Sequence, residues 1–439
     1  MALPTASREW ITILNNNIIK KSIITIITLI SLLRVSYFVT TTNAGELTED
    51  SSVVLQKMID SKPSGTTIKL PSGTYKISNT VKLKDGIKLV ASNDVIIEGT
   101  GNNTLFSAGN DNSFEGIEFQ NCSTALSVYF KKGLKVIDCS FTNNIYFAAI
   151  NFYGSSDSSI TDSYFYEIHK YGVLIDHDSS NITIIKNEFD NAKAFGGYDL
   201  EQISGHVYSL NGTDIKVTNN ILKNSGGQGV IFGYNSITGK GTTNSVANNN
   251  LCVGNGQEGA TIYGGVDKVT SGNSLIHNTS KNNRFNQIEV WESDNNLVQN
   301  NTVEESLPGT GNMGAITLFT TSGTTVSGNK VLSAQNNGIE ITAGSTNCAI
   351  ADNHIADTNV KKNVDAPERG NAILLDSNGK SQPKFISISS NEITSSNEII
   401  EKSGIYSTSN ENQNNKIDSN TVTGYKYGLH SYANMTQEK

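Results

Sequence analysis

Cysteine is scarce in this chain: four residues in 439, at 122, 139, 252 and 348, with no CxxC pair among them. That spacing excludes a zinc ribbon or a thioredoxin-type motif and leaves disulfide pairing open. Proline occurs only six times, and 17% of residues are charged. Lys and Arg number 33 against 41 Asp and Glu, a formal net charge of −8, which argues against a nucleic-acid partner. The runs of Ala, Leu, Glu and Lys that build long helices are missing. One strongly apolar run exists, SIITIITLISLL at 22–33, and Arg34 ends it. It falls short of the ~20 residues of a membrane span. Lys20 and Lys21 precede it, and Thr42 and Ala44 stand before Gly45, so charge, apolar stretch and small-residue site are all present. Residues 1–44 therefore read as a secretory signal peptide, or as a signal anchor if uncleaved. The remainder is expected to be secreted or cell-surface, with no stable membrane insertion beyond that segment.

Asn is abundant, at 54 residues, and Gly numbers 39. Both recur in a pattern. The motif apolar, two residues, Asn, one residue, apolar appears as VTNNIL at 217–222, VANNNL at 246–251 and VQNNTV at 298–303. It continues as VSGNKV at 326–331, IADNHI at 350–355, ISSNEI at 388–393 and IDSNTV at 417–422. A second motif lies between these copies, often Gly followed by alternating apolar and polar residues: GVLID at 172–176, GATIY at 259–263, GIEIT at 338–342. Period-two alternation means strands with one buried face. Units this short bury their apolar face only by stacking on one another. Asn tolerates the left-handed turn conformation and can bond its equivalent on the next coil. Asn187, Asn220, Asn249, Asn301, Asn329, Asn353, Asn391 and Asn420 are the expected column.

Uneven repeat length with regular strand anchors predicts an all-β, single-stranded parallel β-helix of 12–13 coils, about 60 Å long at ~4.8 Å per coil. Propeller blades of about 40–50 residues do not fit that spacing. The expected layout is an N-terminal cap and first strand over 45–70, the β-helix over 71–432 and a tail over 433–439. The segment SSVVLQKMIDS reads as a capping helix with Val54, Leu55, Met58 and Ile59 on one side. From about residue 50 to 432 the chain resembles the right-handed parallel β-helix proteins of the pectate-lyase-like superfamily, where such a helix covers the open end of the core.

Residues two apart on each strand should point outward and align across coils. They include Asn151, Tyr153, Asp176, Thr261, Tyr263, Glu289, Trp291, Thr317, Phe319, Glu340 and Thr342. Rings pack on sugar faces and carboxylates bond hydroxyls, so Tyr153, Tyr198, Glu201, Tyr263, Glu289 and Trp291 are the expected substrate-binding residues. The densest polar group is EIHKYGVLIDHD at 167–178, with His206 beyond it. Tyr171, Asp176 and His177 are similar in type and order to the Tyr-Gly-Phe-Asp-Pro-His motif of mannuronan C5-epimerase modules. Here one more residue separates Gly172 from Asp176, and the Pro is absent.

That resemblance implies a lyase or C5-epimerase acting on a uronate-containing polysaccharide. Proton abstraction beside a carboxylate needs a base within reach and a group that neutralises the carboxylate. Tyr171, Asp176, His177, Asp199 and His206 are the catalytic candidates. Ca2+ is the one cofactor expected, with Asp176 and Asp178 as its ligands. Two alternatives stand beside it. One is hydrolysis by paired carboxylates drawn from Asp176, Asp199, Glu201 and Glu289. The other is a non-catalytic surface or carbohydrate-binding rod. The TGKGT stretch at 238–242 lacks the spacing and context of a phosphate loop, and HExxH, EF-hand and GxSxG elements are absent.

Overall fold

The computed structural model describes residues 50–191, 205–307, 313–362, 366–396, 400–409, 413–431 and 437–438. The proposed signal segment and the Tyr198–Glu201 insert lie outside them. Among the described residues the architecture is a parallel β-solenoid with one short helix at its N-terminal end. Three ladders of short parallel strands run its length. One ladder climbs from strand Gly73–Lys76 to strand Thr421–Val422 in fourteen rungs, against the 12–13 expected. At ~4.8 Å per rung the stack is about 60 Å long.

The helix α1, Ser51–Asp60, starts at Asp50, whose carboxylate accepts from the Ser52 amide at 3.0 Å and from the Ser52 hydroxyl at 2.6 Å. This is ordinary N-capping. Leu55 and Ile59 are buried against the first coil, as expected. Val54 is not: it is 37% exposed, because the buried stripe is completed by Ser51 and Ser52.

Each strand sends one row of side chains inward. In the early coils the row is phenylalanine: Phe119, Phe141, Phe165 and Phe189 stack with successive centroid distances of 5.0, 4.7 and 4.2 Å. Leu222, Cys252, Ser280, Val303, Val331, Ile355 and Ile393 extend the same register. All four cysteines are buried and free; burial pushes the Cys252 thiol up to about 12.

The corners are held by asparagine. A residue with positive φ stands immediately before each ladder position: Lys186, Asn219, Asn249, His277, Asn300, Gly328, Asp352, Ser390 and Ser419. The next residue buries its side chain and bonds along the axis. Amide-to-carbonyl distances are 3.1 Å for Asn187–Asn220, 3.0 Å for Asn220–Asn250 and for Asn250–Asn278, and 3.1 Å for Asn278–Asn301. Asn329, Asn353, Asn391 and Asn420 complete the column. Each Oδ1 also takes a backbone amide from the preceding coil, as in Asn278 to Asn301 at 2.8 Å. The expected member Asn249 is corrected to Asn250, and Asn278 is added. Ala247 and Cys252 are the buried residues there, while Val246 and Leu251 lie outside, so the motif at 246–251 slips by one.

The ladder gives a stability test. Asn301→Ala orphans buried groups on both neighbouring coils and should cost about 3 kcal/mol in denaturant unfolding. Asn249→Gly keeps a left-handed turn residue at an exposed position and should stay within about 0.5 kcal/mol. Equal losses at the two positions would refute the assigned register.

Candidate functional site

The outward rows fall where alternation placed them. Asp176 stands in register with Tyr153. Thr261 aligns with Glu289, and Tyr263 with Trp291. Thr317 and Phe319 follow on the next coil, then Glu340 and Thr342.

At the N-terminal part of this face the rows form an aromatic platform. Tyr129 and Tyr153 occupy the same register on adjacent coils and stack at 4.6 Å. The His177 ring lies on Tyr153 at 3.7 Å. Phe130 packs edge-on against both tyrosines, at 4.6 and 5.5 Å. Tyr129 is 55% exposed and Phe130 60%, so the platform is open to solvent. On the separate ladder of Lys88, Ser113 and Lys135, a groove of about 660 Å3 is lined by Lys88, Lys132 and Lys135 with Asp111, Glu115 and Asp157.

Strand alternation forbids Asp176 and His177 from sharing a face, but the strand ends at Asp176. His177 adopts φ 53 and turns its ring back to the outer side. Its Nδ1 lies 3.1 Å from Asp176 Oδ2, near but out of line for a hydrogen bond. Both Asp176 oxygens accept from Asn235 Nδ2, at 2.9 and 2.8 Å. Asn235 sits on a small antiparallel hairpin, Tyr234–Asn235 against Lys240–Gly241, and the TGKGT stretch at 238–242 spans the end of its turn and its second strand. Sequence reading missed this residue; the Gly239 turn at φ 66 marked the hairpin but not its target, 59 residues away. Asp178 is engaged by Lys240 at 2.8 Å.

Tyr171 is half-buried at the start of the same strand, its ring 5.0 Å from Tyr208 and 5.7 Å from Phe147. Burial, with a smaller push from Asp176, raises its phenol to about 12. His206 does not join this group. It is 2% exposed, and its Nε2 meets the Lys223 carbonyl at 2.8 Å. Burial lowers its pKa to about 4. Asp199, Tyr198 and Glu201 lie outside the described residues.

The paired-carboxylate expectation fails for its described members. Asp176 and Glu289 stand four coils apart, roughly 19 Å, beyond the ~6.5–9.5 Å that flanks one glycosidic bond. The calcium expectation does not fit its ligands either: Asn235 occupies both Asp176 oxygens and an ammonium holds Asp178. Among the described residues no three His, Cys, Asp or Glu side chains gather as cation ligands.

Further along, Trp291 stacks on Phe319 at 3.6 Å, and Lys380 Nζ lies 4.7 Å from the Phe319 centroid. Tyr263 packs edge-on against Tyr234 at 5.3 Å. Glu289 is buried, one oxygen taking Asn286 Nδ2 at 2.8 Å.

A family model described as a right handed beta helix region matches residues 72–251 and 237–437. No curated protein matches the chain. Among solved structures, the A-module of mannuronan C-5 epimerase AlgE4 from Azotobacter vinelandii aligns over 90% of this chain and 98% of its own, at 14% identity and TM-score 0.51. A mannuronic acid specific polysaccharide family 6 lyase from human gut microbiota aligns over 87% and 89%, at 12% identity and TM-score 0.55. The Streptococcus pneumoniae surface protein and adhesin PfbA aligns over 79% and 98%, at 16% identity and TM-score 0.50. Identities this low establish a common fold. No helix among the described residues is long and apolar enough to cross a membrane.

The burial of His206 has a pH signature. Its folded pKa of about 4 lies below the unfolded value, so the unfolded state binds the extra proton first. The contribution is complete above about pH 6.5 and lost as pH falls toward 4, a change of about 3 kcal/mol. Unfolding of wild type and His206→Gln across that window should show the wild type losing stability relative to the variant on acidification. A constant difference would mean the ring titrates as if solvated.

Proposed function

The chain belongs to the right-handed β-helix family, and within it we propose a secreted or cell-surface protein that binds an acidic polysaccharide along the outer face of the stack. The observation that carries this reading is the open platform in which Tyr129 and Tyr153 stack at one register on adjacent coils, with Phe130 and His177 packed against them. Exposed apolar surface of this kind marks a ligand site. Ring bodies accept the C–H faces of pyranoses while phenol groups bond hydroxyls. Two of the similar structures are named for mannuronan or mannuronic acid, which favours a uronate polymer.

A second reading adds catalysis, and Asn235 is what favours it. By holding Asp176 it fixes the carboxylate beside His177 Nδ1. His177 would then remove the proton at C5 of a bound uronate. Tyr171, kept protonated by burial, would donate to the leaving oxygen in β-elimination or to the opposite face in epimerisation. Without this chemistry the same face is that of an adhesin-like binder, which the likeness to PfbA also allows.

Calorimetric titration with oligomannuronates and with a neutral glucan separates these readings. The uronate should bind, and Tyr153→Ala should weaken it by about tenfold, the upper range for an aromatic contact. Failure of the intact chain to bind any acidic polymer refutes the polysaccharide reading. For catalysis, wild type should generate an ultraviolet-absorbing unsaturated product or exchange deuterium at C5, and His177→Ala should do neither. Absence of both signals from wild type eliminates the enzyme and leaves the binder.

A further inference from the structure

Beyond the platform the outward face changes character. Thr261, Glu289, Thr317 and Glu340 form one vertical row on four consecutive coils. Glu289 is 9% exposed and Glu340 6%, yet among the described residues neither has a salt-bridge partner. Each is held by a single side-chain amide: Asn286 Nδ2 at 2.8 Å from Glu289, and Asn337 Nδ2 at 3.1 Å from Glu340. Burial raises Glu340 to about 7, and burial together with Glu258 raises Glu289 well above the usual carboxylate range.

Three further polar atoms on these coils are stranded: one in this row, one on Asn286 just before its strand, and one on Thr342 in the neighbouring row of Tyr263, Trp291 and Phe319. Thr261 Oγ1, Asn286 Oδ1 and Thr342 Oγ1 are buried without a hydrogen-bond partner. Their residues are at most 2% exposed. Buried polar groups are almost always satisfied, so three orphans beside two protonatable acids describe a surface built to meet hydrogen-bonding groups that are not part of the chain. Trp291, packed on Phe319, stands beside them as an apolar wall.

We propose that Thr261, Asn286, Glu289, Glu340 and Thr342 form a second sugar subsite, which takes the hydroxyl groups of pyranose rings lying against Trp291. It rests on the polysaccharide reading above and extends it: one polymer chain runs along the axis from the Tyr153 platform to the Trp291 wall. Those two lie five coils apart, roughly 24 Å, so a disaccharide reaches only one of them. A protonated carboxyl donates to a sugar oxygen, and an ionised one cannot. Binding at this subsite therefore weakens as pH rises and the acids ionise. The other titratable groups facing them are Glu258, Glu292 and Tyr263 around Glu289, and Asp376 and Arg369 around Glu340.

The test titrates the full chain with a mannuronate disaccharide and an octasaccharide. Thr261→Val removes one orphan hydroxyl without changing shape. It should leave disaccharide affinity unchanged and reduce octasaccharide affinity about fivefold, the value of one hydrogen bond. Glu289→Gln should keep octasaccharide affinity at about pH 6 and flatten the decline that wild type shows toward pH 9. Wild-type octasaccharide affinity for both variants at every pH, with Tyr153→Ala still weakened, overturns the subsite and spares the platform. No binding of either oligosaccharide by wild type overturns both.

Discussion

Everything in this molecule depends on the hydrogen bonding of each coil to the next. The ladders satisfy the backbone along the strands, but the corners leave amides and carbonyls that water cannot reach. The asparagine column resolves this. Asn301 donates to the Leu275 carbonyl and to Asn329, while its Oδ1 takes the backbone amide of Asn278 and that residue's side-chain amide. Nearly all its bonding capacity is used, with no charge buried. A carboxylate at the same place would accept but not donate, and an aliphatic residue would orphan groups on two coils. The left-handed residue before each Asn turns the chain so that the amide enters the interior, which explains why Asn, Asp and Gly dominate that preceding position.

Once the corners are locked, the outer face is rigid, and residues distant in sequence become vertical neighbours. This face treats buried polar groups in two ways. In the asparagine column every group is matched, as stability requires. On the outer face, at Thr261, Asn286 and Thr342, matching is incomplete. The two lie on the same coils and face the same demands of folding. The difference between them is better explained by what the outer row meets from solution than by imperfect packing. Elsewhere, buried Glu305 is satisfied by Gln287 and Gln335, so an isolated buried acid in this stack can be fully accommodated.

Much of this was legible in the sequence. Period-two alternation gave the outward rows, because strands impose it strictly, and Asp176, Tyr263, Glu289 and Trp291 all project as alternation predicts. The asparagine column was readable except at 246–251. There Val246 and Leu251 look like core residues, yet the smaller Ala247 and Cys252 are inside; hydropathy favoured the wrong pair. His206 escaped because alternation breaks at its corner. His206 and Val207 are adjacent and both wholly enclosed, and outward projection resumes at Tyr208. Asn235 could not be read at all, since its partner Asp176 is brought to it only by the hairpin folding back over the face.

That hairpin shows how a generic stack acquires a particular chemistry. The coils fix the height of each side chain along the axis but not its electrostatic state. At the end of its strand Asp176 takes the His177 backbone amide at Oδ1, 2.8 Å away, which leaves Oδ2 to be held by something else. With Asn235 bridging both its oxygens, it is oriented toward His177 before any ligand arrives. Such prior orientation lets a histidine act as a base without reorganisation during the reaction. Lys240, on the second strand of the same hairpin, also pins Asp178 at the surface, but that exposed pair is solvated and contributes little. The functional weight of the insertion therefore rests on Asn235. The aromatic platform needs no hairpin, because Tyr129 and Tyr153 are placed by the ladder itself. The binding proposed for this face is thus a property of the coils, whereas the catalysis proposed with it is a property of what the loops bring to them.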